Sequence, residues 1–122
     1  MINKIVDYIY LGSLEDSLNF NIEDTPVQSK ISVCGWNIEK DIIDGNSSTL
    51  WKMYRMLAEN IPSQIPTLVY CDGGIDRSPF VVAWFLRQFT SMSEHEAYEL
   101  VQFKHSQTIV HDDWMRIFCE VD

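Results

Sequence analysis

Thr67-Leu68-Val69-Tyr70-Cys71-Asp72-Gly73-Gly74-Ile75-Asp76-Arg77-Ser78-Pro79-Phe80 is the stretch that decides the fold. Thr67–Tyr70 is a short apolar run of strand-forming residues, which predicts a central strand buried on both faces. Asp72-Gly73-Gly74 is a turn signal placed directly behind it. From Arg77 to about Thr90 the chain is apolar nearly all round, through Phe80, Val81, Val82, Ala83, Trp84, Phe85 and Leu86. A helix with that pattern is a buried one, and Pro79 fits its first turn. Buried strand, tight turn and buried helix form the centre of an α/β domain.

The flanks read in the same alternating way. Lys4–Leu11 is rich in Ile, Val and Tyr and runs to Gly12, predicting one or two short strands. Ser13, with Asp16 three positions on, caps a short helix over Leu14–Phe20. Lys30–Cys34 predicts a strand closed by Gly35, and Trp36–Asn46 reads as an irregular acidic stretch. Beyond Ser47 or Ser48, the positions Leu50, Met53, Tyr54, Leu57 and Ile61 mark the apolar face of a helix. Ser93 and Glu96 form a capping box for a helix carrying Ala97, Leu100 and Val101, and Trp114, Ile117 and Phe118 share one face of a last helix.

At 122 residues the chain fits a single domain, residues 1–122, large enough to bury a core. Its composition, 46% hydrophobic with four Trp, excludes a disordered chain. Eighteen acidic against nine basic residues give a net charge of −9 without any Lys/Arg cluster, which excludes a general nucleic-acid or anionic-membrane surface. No apolar run reaches the ~18 residues of a membrane span, and the N-terminus does not read as a signal peptide. Three cysteines predict free thiols in a reducing compartment, hence the cytoplasm, rather than a disulfide framework. His95, His105 and His111 lack the spacing of metal ligands and are expected at surface or cap positions.

The turn carries the chemistry. A cysteine that follows a β-run is usually a packing residue. Here two glycines allow tight curvature and an Arg stands six positions on, where the buried helix begins. Such a loop can aim its amides inward as an anion cradle, with the helix dipole behind it. Arg77 can close over the anion with a planar fork. Cys71 then lies at the floor of a phosphate-shaped nest that favours thiolate, placed for in-line attack on phosphorus.

Cys71-x5-Arg77-Ser78 resembles the signature loop of the cysteine-dependent protein tyrosine phosphatases, and the rest of the chain is similar to their small dual-specificity branch. Ile5–Ser13 is similar to that branch's opening strands, and Ser78–Phe118 to its closing helices, Met92-Ser93-x3-Ala97 included. The resemblance implies a cysteine-phosphatase-like fold with a central mixed sheet flanked by helices on both faces, one catalytic domain, a phosphocysteine intermediate, and neither metal nor cofactor. It implies Cys71 as nucleophile, Arg77 as phosphate clamp and Ser78 as hydrogen-bond donor to the thiolate. Asp72, Gly73, Gly74, Ile75 and Asp76 join Arg77 in binding the substrate phosphate. Tyr70 departs from the family, standing where it usually has His.

The family's general acid is an Asp on a loop upstream of the signature strand. In the corresponding stretch, Trp36–Asn46, the candidates are Glu39, Asp41 and Asp44; Asp41, thirty positions before Cys71, fits the family's spacing best, with Asp44 next. Asp76 is a third candidate, because an acid before the Arg resembles the inositol-lipid phosphatases of the myotubularin and Sac types. The expected function is phosphomonoester hydrolysis on phosphoproteins, at phosphotyrosine and also phosphoserine or phosphothreonine, by a chain acting as a monomer. The alternatives are a phosphoinositide phosphatase and a catalytically weak phosphoprotein-binding domain.

Overall fold

The computed structural model describes residues 1–21 and 23–121. Its strands are β1 (Asn3–Val6), β2 (Ile9–Ser13), β3 (Ser29–Ser32) and β4 (Thr67–Cys71). Its helices are α1 (Leu14–Asn19), α2 (Ile38–Asp44), α3 (Ser48–Asn60), α4 (Arg77–Phe89), α5 (Glu94–Lys104) and α6 (Asp112–Val121). The sheet order is β1-β2-β4-β3. β1 and β2 form an antiparallel hairpin, while β2 and β3 both run parallel to β4, one on each side. This is the mixed sheet that the resemblance implies. Thr67, Leu68 and Val69 are successive residues of β4 and all are fully buried. Successive strand residues point to opposite faces, so helices cover both sides of the sheet.

β2 runs through Gly12 to Ser13 instead of ending before the glycine, because Gly12 and Ser13 pair in register with Tyr70 and Cys71. Cys71 therefore sits at the carboxyl end of the central strand, flanked by the ends of two parallel neighbours. That crevice is where open α/β sheets bind ligands.

The stretch Trp36–Asn46 is not irregular: it contains the seven-residue helix α2. Asn37 caps it through a bond from Lys40 N, and Gly45 closes it in the left-handed region at φ +66°. Ile38 is buried and Ile42 packs against the core, one turn apart on one face.

The core centres on α4, whose residues Ser78 to Leu86 are all buried. Trp84 meets Trp51 edge-on at 4.7 Å, and Phe80 lies 5.7 Å from Trp114 and 6.0 Å from Phe118. α4 thus ties α3 to α6 through aromatic pairs. Among the described residues, no helix is long and apolar enough to cross a membrane.

Truncating Trp84 to Ala is expected to destabilise the fold by ~3–5 kcal/mol, read as a fall in the urea midpoint. Its indole N–H is buried without a hydrogen-bond partner among the described residues. Trp84→Phe, which removes that N–H and keeps a ring, should destabilise far less. Equal losses from the two variants would show that the N–H is satisfied in solution.

Candidate active site

The turn from β4 into α4 wraps around the Cys71 sulfur, which is fully buried. Gly74 N donates to Sγ at 3.2 Å and Ser78 N reaches it at 3.4 Å. Ser78 Oγ lies 3.2 Å from the same sulfur. One amide from the turn, one from the first turn of α4 and one hydroxyl therefore converge on a single atom. Of the two adjacent glycines, only Gly74 takes positive φ, at +69°. A Cβ there would lie 2.7 Å from the Gly12 carbonyl group and 2.9 Å from Ser13 N, so position 74 admits no side chain while β2 keeps its place.

The loop's carbonyls are held from outside. Asp72 O accepts from Leu14 N at the start of α1 (3.3 Å), Gly74 O from His105 Nε2 (2.7 Å) and Ile75 O from Ile109 N (2.6 Å). No peptide bond among the described residues is cis. In a trans peptide the C=O and N–H of one plane point opposite ways, so each held carbonyl turns the next amide away from its anchor. The amides of Gly73, Ile75 and Asp76 are the ones so turned. Successive amides aimed to one side make an anion-binding concavity.

Arg77 opens α4, and its guanidinium reaches two neighbours. Nη2 bonds Asp72 Oδ2 at 2.9 Å, and Nη1 lies 3.5 Å from the Trp36 carbonyl oxygen. The Asp72 oxygen also receives Gly35 N at 3.4 Å. The Gly35 amide first, and then Arg77, hold the Asp72 carboxyl below the usual carboxylate range. In this state Arg77 is engaged by the loop's own carboxylate.

Asp76 caps α4, its Oδ1 accepting from Arg77 N at 2.7 Å. Its Oδ2 faces His111 Nε2 at 3.6 Å, and that imidazole stacks on Trp114 with centroids 3.7 Å apart. A cleft of ≈ 350 Å³ opens beside these groups, lined by Trp36, Glu39, Asp76, Arg77 and Trp114 among others. The structure thus brings Cys71, Ser78, Arg77 and the loop residues together, with Trp36 at the mouth.

The carboxylates of α2 are distributed differently. Asp41 Oδ2 accepts from Trp36 Nε1 at 2.7 Å, Asp44 pairs with Lys40 Nζ at 2.6 Å, and Glu39 lines the cleft. Helical spacing separates Asp41 from Glu39 by about 200° around the axis, so only one of them can face the cleft. His95 is exposed, as the sequence predicts, but His105 and His111 are more central. His105 is the C-cap of α5, but its side chain is fully buried against the loop, and His111 faces Asp76. Neither position carries a local signal; both contacts are made across the fold. Among the described residues no group of His, Cys, Asp or Glu is placed to hold a metal ion.

Asp72 competes with any bound anion for Arg77. Asp72→Asn is therefore expected to bind inorganic phosphate a few-fold more tightly in a calorimetric titration, the gain shrinking as salt is added. Weaker binding would mean that Asp72 chiefly supports the loop.

No protein-family model matches the chain, and no curated protein matches it by sequence. Solved structures match nearly all of it. Human DUSP28 superposes with a TM-score of 0.80 at 13% identity, covering 98% of this chain and 91% of that one. DUSP15 gives a TM-score of 0.78 at 13% identity, covering 98% and 85%. PTPMT1 gives a TM-score of 0.77 at 17% identity, covering 99% and 93%, and has also been solved in complex with PI(5)P. The strand order, the strand–loop–helix turn around a buried cysteine and these superpositions agree: the chain has the fold of the dual-specificity phosphatases.

Proposed function

We propose that the protein is a cysteine-dependent phosphatase that hydrolyses phosphomonoesters on phosphoproteins, at phosphotyrosine and also at phosphoserine and phosphothreonine. The observation that carries this reading is the convergence of Gly74 N, Ser78 N and Ser78 Oγ within 3.4 Å of Cys71 Sγ, under a loop rimmed by Arg77. Those donors favour a sulfur anion, and the turned amides favour a phosphoryl group above it.

The chemistry follows in two balanced steps. The Cys71 thiolate forms a P–S bond as the ester P–O bond breaks, and the leaving oxygen takes a proton from a carboxylic acid. Water then attacks phosphorus and the P–S bond breaks. The electron pair returns to sulfur, and the same carboxylate takes the water's proton. The Ser78 hydroxyl supports the returning thiolate. Arg77 leaves Asp72 and forks onto two phosphoryl oxygens. Ile75, 38% exposed on the loop, gives the substrate's leaving group an apolar wall.

Asp41 is the proposed acid. It is half-buried and accepts from the indole N–H of Trp36, a residue that lines the cleft, so a turn of α2 or of the side chain has to bring it to the substrate, while Asp44 is tied to Lys40. Asp76 is already engaged by Arg77 N as the cap of α4. A second reading, phosphoinositide hydrolysis, draws on the fold shared with PTPMT1, solved with PI(5)P, and on Asp76 preceding Arg77. The acidic rim of Asp72, Asp76 and Glu39 disfavours it.

Cys71→Ser keeps the cradle and removes the thiolate. Turnover of an aryl phosphate should fall to background while inorganic phosphate still binds. Retained turnover would sink the covalent route, and absence of turnover in the unaltered protein would leave only a phosphoprotein-binding domain. A panel of phosphopeptides and phosphoinositides separates the two substrate readings.

The acid is identified by leaving-group dependence. An alkoxide or tyrosyl leaving group needs a proton, whereas an activated phenol does not. Asp41→Asn should therefore slow phosphopeptides by ~10²-fold or more and an activated aryl phosphate far less, with Asp44→Asn near wild type. The same selective defect in Glu39→Gln in place of Asp41→Asn would move the role to the carboxylate that lines the cleft.

A further inference from the structure

His105 is a polar ring with no exposed surface. Burying such a ring is unfavourable unless both nitrogens find partners, and here both do. Nε2 lies 2.7 Å from Gly74 O and Nδ1 2.7 Å from Asn3 Oδ1. A carbonyl oxygen only accepts, so Nε2 carries a proton and donates to Gly74. Burial lowers the ring's pKa and favours the neutral form. In that form Nδ1 accepts from Asn3 after a half-turn of the Asn3 amide.

A core histidine could meet any two neighbours and serve stability alone. This one meets the residue whose own N–H faces the sulfur: Gly74 N donates to Cys71 Sγ at 3.2 Å, and Gly74 O is what His105 holds. The same carbonyl shares a peptide plane with the Ile75 amide. The segment behind His105 braces the arrangement. Thr108 N and Oγ1 both donate to His105 O, at 3.0 and 2.6 Å, and the next residue, Ile109, donates to Ile75 O.

We infer that His105 is a positioning residue of the anion loop: its Nε2–H holds the Gly74 carbonyl outward, and the Ile75 amide is thereby turned onto the bound phosphoryl group. Asn3, on the first strand, fixes the ring in turn. The inference rests on loop 71–77 being the anion site. It assigns to a residue of α5's C-terminus, 34 positions from Cys71, control over the loop's donor set.

Alkylation of Cys71 tests this without any turnover. Iodoacetate carries a carboxylate that an anion cradle attracts, and iodoacetamide is its neutral counterpart. The ratio of their rates at Cys71, followed by peptide mass spectrometry at one pH, cancels the thiolate fraction and reads the amides. His105→Leu should lower that ratio about tenfold, as expected when a buried acceptor loses its donor. His105→Gln should restore most of it, since its side-chain amide nitrogen stands as many bonds from the backbone as Nε2. Asn3→Ala, which keeps His105 but frees the ring, should lower it by a smaller factor. Melting temperature and the reactivity of Cys34 separate this from general loosening, which would raise alkylation at both cysteines. A wild-type ratio in folded His105→Leu overturns the inference. If that variant does not fold, a wild-type ratio in Asn3→Ala does so. An unaltered protein whose ratio is no higher than that of free cysteine removes the anion site and this inference with it. A high ratio without phosphate-ester hydrolysis removes only the proposed function.

Discussion

A loop can aim its amides at an anion only where the carbonyls on the far side of each peptide plane find partners behind it. That constraint governs this molecule. The carbonyls of Asp72, Gly74 and Ile75 are taken up by the start of α1, by the His105 ring and by the chain at Ile109. Each anchor comes from a different part of the fold. The loop's own sequence supplies the turn, with Gly74 at φ +69°, but the direction of its dipoles is set by elements before and after it. The hairpin partner of β1 delivers α1 to the loop, and α5 with the segment after it delivers the other two anchors.

The opposite wall of the site is set by burial. α4 is enclosed from Ser78 to Leu86, and Ser78 itself has no exposed surface. The aromatic contacts of Phe80 and Trp84 fix the helix, so they also fix Ser78 N and Oγ against the sulfur. Core stability and the geometry around the Cys71 sulfur are one property here. Arg77 lies one residue outside this enclosure, with its side chain at the rim and 24% exposed. Its backbone N–H is held by Asp76 at the start of α4, while its guanidinium reaches outward to Asp72 and the Trp36 carbonyl, an arrangement that suits the proposed clamp on an anion.

The strand–turn–helix centre was legible because each of its signals is local: a β-run at Thr67–Tyr70, a glycine pair, and a segment apolar on every side. The same holds for the Ser13/Asp16 and Ser93/Glu96 capping boxes, both present in the structure. α2 was not legible because only Ile38 and Ile42 mark its inner face among acidic neighbours, and a helix of seven residues shows barely one repeat of that pattern. Its formation changes how the upstream carboxylates stand: they are fixed around a helix, with Asp41 on Trp36 and Glu39 toward the cleft. His105 could not be read at all. It follows Lys104 in a polar run, and its partners are Asn3 and Gly74, 102 and 31 positions away. Tyr70 stands before the cysteine, where the phosphatases that the signature loop resembles usually have His, so no residue next to Cys71 marks a loop-holding imidazole.

The charge of the molecule acts on a different length scale from its donors. Amides and a guanidinium act over hydrogen-bond distances, whereas a net charge of −9 acts over a Debye length of ~8 Å. At the floor of the loop the short-range donors dominate, as the proposed binding of a phosphoryl group requires. At the rim Asp72, Asp76 and Glu39 surround a single guanidinium that one of them already engages. A substrate whose only anionic group enters the loop meets the donors and little else. One that carries further phosphates must leave them against carboxylates. On the proposed function, the same features select against polyanions, and a phosphorylated side chain flanked by neutral or basic residues is the substrate whose charge would fit both scales.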